Sequence, residues 1–117
     1  QYVNTHGTST GLGDIAESKA VERLFGDKDH NKNLYVSSTK SMHGHMLGAT
    51  GAVESIACIE TINNDIVPPT INLDNQDEAV GNLNYVPHKA QKAEIHAALT
   101  NSFGFGGHNA TLIFKEV

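Results

Sequence analysis

Two histidines are set beside glycine in this sequence, His6 ahead of Gly7 and His45 behind Gly44, and Lys40 stands shortly before the second. Glycine lets backbone come close to a ligand, while an exposed imidazole can donate or take a proton near neutral pH. Lys40 adds a cation. Glu54 lies among Ala52, Val53, Ile56 and Ala57; if that face is buried the carboxylate needs a partner, and if it faces outward it is merely solvated. Thr8 and Thr10 bring hydroxyls to the Gly-rich run that holds His6, and Phe105 stands between Gly104 and Gly106, either as a buried ring or as part of a site. Taken singly, each histidine also reads as a solvated loop residue. A zinc site built from His43 and His45 with His6 or His108 is the competing chemistry. It is disfavoured because no carboxylate orienter adjoins the pair, so no metal ligand is assigned. The glycine runs meet neither GxGxxG nor GxxxxGKS, which leaves a phosphate cradle without support. Cys58, in Ile56-Ala57-Cys58-Ile59, reads as a packed core thiol rather than a nucleophile.

These side chains need elements to hold them. Residues 1–4 predict a short strand, and residues 6–13 a glycine-rich loop. Asp14 three places before Glu17 suggests a capping box opening a helix over 14–25, with Ala16, Ala20, Val21, Leu24 and Phe25 as its apolar face and Gly26 as its stop. A polar turn over 27–33 leads to a buried strand over 34–36 and a loop over 37–44. Residues 45–63 are apolar on nearly all sides and rich in small residues, which predicts a central, buried helix. After Pro68-Pro69, residues 83–86 read as a weak edge strand. Residues 95–101 and 110–114 read as two core strands joined by Phe103-Gly104-Phe105-Gly106-Gly107. Strand, helix, strand, helix and paired strands make a layered α/β sheet with an antiparallel edge. His6 and His45 then fall at strand exits, where such sheets place their sites.

The chain has 117 residues, enough for one compact unit with a real core, and 38% hydrophobic against 18% charged residues is a globular composition. A formal charge of -5 without a basic stripe excludes nucleic acid and an anionic membrane surface as expected partners. The longest apolar stretch, over 48–62, is shorter than the ~20 residues a spanning helix needs, and Glu54 and Glu60 interrupt it. A single cysteine rules out an internal disulfide and fits a reducing compartment, so a cytoplasmic location is expected. Gln1 runs straight into a strand, which suggests a piece of a longer protein.

Five motifs occur in order: Asn4-Thr5-His6-Gly7-Thr8-Ser9-Thr10, Ser37-Ser38-Thr39-Lys40-Ser41-Met42, Gly44-His45-Met46-Leu47-Gly48-Ala49, Pro68-Pro69-Thr70-Ile71-Asn72 and Asn101-Ser102-Phe103-Gly104-Phe105-Gly106-Gly107. Together, over essentially the whole chain, they resemble the C-terminal part of the β-ketoacyl-acyl-carrier-protein synthases of type II, the elongating condensing enzymes. The resemblance implies a thiolase-like fold of two similar halves, with residues 1–117 as the C-terminal part: a layered mixed β-sheet with a buried central helix, forming an incomplete half-domain. It implies a Cys-His-His triad in which His6 and His45 match the histidines, while the nucleophilic cysteine belongs to the absent N-terminal half. Lys40 matches the family lysine and Glu54 its acidic partner. Thr8 and Thr10 match hydroxyls that bind the pantetheine arm. Phe105 matches the residue whose backbone N–H serves an oxyanion hole while its ring gates the acyl pocket. No resident cofactor is implied, because phosphopantetheine arrives on acyl carrier protein. The implied partners are that carrier, acyl and malonyl thioesters, and a second subunit in a homodimer.

In the implied reaction an acyl chain passes to the cysteine thiolate, a malonyl thioester loses carbon dioxide, and the enolate attacks the acyl-enzyme. Neutral imidazoles that donate to the thioester oxygen stabilise the enolate, an effect of ~3 kcal/mol per donor. A second histidine, rather than the asparagine of chain-initiating relatives or the cysteine of thiolases, points to decarboxylating elongation. Gly11, His43 and His108 depart from the family's usual Pro, Thr and Thr. A polyketide ketosynthase or chain-length factor is the near alternative, and a histidine-based metal or ligand module the distant one. The resemblance also places Tyr2-Val3-Asn4 second among the strands, with an absent first strand taken to be central, so unpaired central edges and self-association are expected.

Overall fold

The fold was obtained as a computed structural model that describes residues 1–26 and 33–117. Apart from Asn33, the turn expected over 27–33 lies outside the described residues. β1 (Tyr2–Asn4), β2 (Tyr35–Ser37), β5 (Ala97–Gly104) and β6 (His108–Lys115) form one sheet in the order β2-β1-β5-β6. β1 runs parallel to both neighbours, with Val3 opposite Val36 and Leu99, and β5 and β6 are antiparallel. The mixed sheet with an antiparallel edge is as expected. β1 has a partner on each side, so the central gap expected from an absent first strand does not open. The unpaired sheet edge lies instead at the outer side of β6, and β6 is exposed along most of its length rather than being a core strand.

Alternation along β1 builds two cores, because successive side chains leave a strand on opposite faces. Tyr2 packs with Cys58, Val67, Val86, Ile95 and Ala98, and Val3 with Val21, Leu34, Val36 and Leu83. Helix α3 (Thr50–Asn64) covers the first face and α1 (Gly13–Phe25) supplies Val21 to the second. α3 is the central helix, but it starts five residues later than predicted, after a 3-10 turn at Leu47–Ala49. It buries one stripe, Thr50, Glu54, Cys58 and Thr61, and leaves Ile56 and Ile59 exposed.

α1 differs more. It buries Glu17, Ser18 and Val21, while Leu24 is 76% exposed, so the inward face is not the apolar one. No side chain caps it: Asp14 accepts from Ser9 N–H, and Glu17 is engaged elsewhere. The loop predicted over 37–44 contains a helical turn, α2 (Lys40–His43). Residues 83–86 form no strand and contribute only a bridge from Asn84 to Tyr35. A two-stranded ribbon, β3 (Ile66–Val67) with β4 (Gln91–Lys92), completes the fold.

Candidate functional site

β1 ends at Asn4 and hands the chain to His6. The backbone N–H groups of His6 and Gly7 donate to the two carboxylate oxygens of Glu17 at 2.9 and 3.0 Å, and Asn101 Nδ2 donates to Oε1 at 3.0 Å. Glu17 is 4% exposed. Gly7 has φ +29°, and a Cβ there would stand 2.6 Å from Thr5 Oγ1 and 2.8 Å from Ser38 Cβ, so the turn requires glycine. The Ser38 hydroxyl donates to Gly7 O at 2.7 Å, joining this loop to the one that leaves β2.

That second loop carries the lysine and the other histidine. Lys40 Nζ donates to Glu54 Oε1, both side chains being buried. Burial pushes the Glu54 carboxyl up against the pull of Lys40, and its Oε2 has no partner among the described residues. His45 is fixed differently. Leu47 N–H donates to its Nδ1 at 3.0 Å, and the Thr50 hydroxyl, whose oxygen accepts from Met46 N–H, lies 3.2 Å from the same atom. A backbone N–H only donates, so Nδ1 is bare and the neutral ring carries its proton on Nε2.

The rings of His6 and His45 meet edge to face with centroids 5.6 Å apart, and Phe103 lies against His6 at 5.4 Å. Burial, then the positive charge of Lys40, then His45, lower the His6 pKa, so this imidazole is held neutral. Its Nδ1 is buried without a partner. His6, Thr8, Thr10, His45, Phe103 and Phe105 line one cleft of about 530 Å³. Lys40 is outside that lining; with His45 it borders a second cavity of about 410 Å³. Phe105 is 95% exposed at the β5–β6 turn, which excludes the buried-ring reading.

The structure thus brings His6, Thr8, Thr10, His45 and Phe105 to one cleft and pairs Lys40 with Glu54 outside its lining. It adds Glu17, Asn101 and Thr50, which sequence reasoning did not select. The signal for Glu17 was present as an acidic residue early in α1, but its spacing from Asp14 pointed to a cap. Cys58 is fully buried, and burial with the nearby Glu54 pushes its thiol up to about 12, so it is no nucleophile. The His43 ring turns to Gly44 O and Thr39. Among the described residues no group of three or more His, Cys, Asp or Glu is placed to hold a metal ion, and no helix is long and apolar enough to cross a membrane.

The profile of the family described as "Beta-ketoacyl synthase, C-terminal domain" matches residues 1–74. The chain is 52% identical over 116 residues to the 3-oxoacyl-(acyl-carrier-protein) synthase 2 of Vibrio harveyi, covering 99% of this chain and 28% of that protein. A β-ketoacyl synthase from Burkholderia phymatum superposes with a TM-score of 0.89 at 43% identity, over 99% of this chain and 27% of the other. The AntDE:AntF complex, a type II polyketide ketosynthase with its acyl carrier protein, gives 0.90 at 35% identity over 99% and 28%. The chain therefore spans little more than a quarter of the length of these relatives.

Proposed function

Because the chain belongs to the β-ketoacyl synthase C-terminal domain family, we propose that it is the C-terminal portion of a 3-oxoacyl-acyl-carrier-protein synthase that elongates fatty acyl chains by decarboxylative condensation. The observation that carries this reading is the pair of imidazoles on one cleft, with His45 held as an Nε2–H donor and His6 held neutral. A malonyl thioester that loses carbon dioxide leaves an enolate whose oxygen needs such donors. The enolate carbon then bonds to the acyl carbonyl, the carbon–sulfur bond breaks, and the electron pair returns to the cysteine thiolate supplied by the N-terminal half. Lys40 sits behind the pair as a cation that resists protonation of His6. Thr8 and Thr10 offer hydroxyls to a pantetheine arm, and Phe105 stands at the mouth where an acyl chain enters.

Acyl carrier protein is the proposed partner, a reading supported by the carrier-protein complex among the structural relatives. A cytoplasmic homodimer with no resident cofactor is part of the same proposal. A polyketide ketosynthase is the second reading, favoured by the 0.90 superposition, but its 35% identity is well below the 52% to the fatty-acid enzyme. In the full-length enzyme, His6→Ala and His45→Ala should each slow malonyl decarboxylation and condensation by about 100-fold or more, with a smaller effect on the first acyl transfer. Condensation at the parental rate in either variant removes that histidine from the mechanism. The 117-residue chain by itself should form no ketoacyl product from acyl and malonyl carrier proteins.

A further inference from the structure

His43 ends α2 and touches both sides of the turn that leads to His45. Its Nδ1 is 2.7 Å from Gly44 O, and its Nε2 is 3.0 Å from Thr39 Oγ1. A carbonyl oxygen only accepts, so Nδ1 carries a proton in every state of this ring. Nε2 is then bare when the ring is neutral and accepts the Thr39 hydroxyl proton; when the ring is protonated, Nε2 donates instead. The same Thr39 Oγ1 is 3.0 Å from Asn4 Nδ2 and 3.3 Å from Asn4 Oδ1. Thr39 has one hydroxyl proton to place. With it turned to His43, Asn4 Nδ2 donates to Thr39; with the imidazolium donating, the hydroxyl is released toward Asn4 Oδ1.

Asn4 is fully buried and Thr39 is 2% exposed, whereas the His43 ring is partly open to solvent. Asn4 is the last residue of β1, two positions before His6. We propose that His43 is a positioning residue, a latch whose proton reverses a buried hydrogen bond between the end of β1, two residues before His6, and the loop carrying His45. The charged and titratable groups around it are Lys40 on its own helical turn, His45 beyond Gly44, and Glu54 from α3; β1 presents only the neutral Asn4. Threonine, the residue expected here from the family resemblance, has no proton to gain in the histidine range. The bearing of the latch on catalysis rests on the condensing-enzyme reading, but the latch itself does not.

Long-range 15N–1H spectra of the histidine rings in this chain, recorded from about pH 5 to about pH 8, test it directly. Neutral His43 should be the Nδ1–H tautomer and His45 the Nε2–H tautomer. The Asn4 side-chain amide should shift with the midpoint of the His43 ring, and in His43→Thr it should become flat across that range. A neutral His43 with its proton on Nε2 overturns the latch, and this result needs no variant to fold. An Asn4 midpoint that survives in His43→Thr overturns it as well. In the full-length enzyme, His43→Thr should remove one ionisation from the pH profile of malonyl decarboxylation. An unchanged profile with the tautomers as stated refutes the positioning role and leaves the condensing reading standing. An unmutated full-length enzyme without decarboxylase activity refutes that reading and leaves the tautomers untouched.

Discussion

Glu17 accepts from two consecutive backbone N–H groups and from Asn101 Nδ2, so Glu17→Ala strips three donors of their acceptor in a buried place. An unsatisfied buried group costs about 1–3 kcal/mol, so the denaturation midpoint should drop clearly. Glu17→Gln keeps the shape and one acceptor oxygen and should lose less; equal losses would show that both carboxylate oxygens are required. His6 makes a second prediction at this scale. Its folded pKa lies below the unfolded value of ~6.5, so between the two the unfolded chain binds more protons. The stabilisation is complete above ~6.5 and is lost as pH falls toward the folded midpoint. Ring titration by NMR should place that midpoint below 6.5, and Lys40→Met should raise it. His6, His45 and Glu54 are legible in the sequence because glycine neighbours and a lone carboxylate on an apolar helix are unusual for bland surface, and Lys40 through the motif that carries the resemblance. Glu17 and Asn101 are not, because Glu17 acts by holding the backbone of His6 and Gly7, and Asn101 by holding the Glu17 carboxylate across a separation of 84 residues.

At the scale of elements, the two loops are set by the strands they leave, and their turns differ in tolerance. Gly7→Ala places a methyl against Thr5 and Ser38 in addition to the cost of its backbone angle. Gly44 has φ +75° and ψ 179°, a backbone region that is essentially glycine's own, with open space around its Cβ direction, so Gly44→Ala meets only that backbone cost of about 1–3 kcal/mol. Urea unfolding should therefore rank Gly7→Ala as the more destabilised. Similar losses in both would mean that the first loop relaxes around the methyl. The layered α/β class and the antiparallel β5–β6 edge follow from pattern, but the place of β1 between β2 and β5 and the inward face of α1 do not. Hydrophobic periodicity selects Leu24, whereas the hydrogen bonds to the His6 loop turn Glu17 inward. α3 misleads in the same way: its apolar surround suggests burial on all sides, yet Ile56 and Ile59 stay open.

For the whole molecule, β6 is where exposed apolar side chains coincide with an open backbone edge. Leu112 and Ile113 are successive residues that point to opposite faces of the sheet, and they are 53% and 72% exposed. Neither face at that point is covered, and the outer edge has no strand partner among the described residues. An open apolar edge of this kind templates pairing between chains. Light scattering at high micromolar concentration should report a mass above 12.5 kDa, and Ile113→Lys should move it toward that value. A monodisperse monomer throughout would show that the edge is protected by its own twist and charge.

The position of β1 between β2 and β5 has a consequence for how the chain is made. Tyr2 pairs with Ala98, so the second neighbour of β1 is synthesised well after β1 itself. At ~5–20 residues per second, roughly 5–20 s separate the synthesis of the two. Through that interval one flank of β1 is bare, and Glu17 waits for Asn101, so the His6 loop acquires its full set of bonds only after β5 has been made. A chaperone that shields a short extended segment during this delay would protect the part of the molecule on which both histidine loops depend.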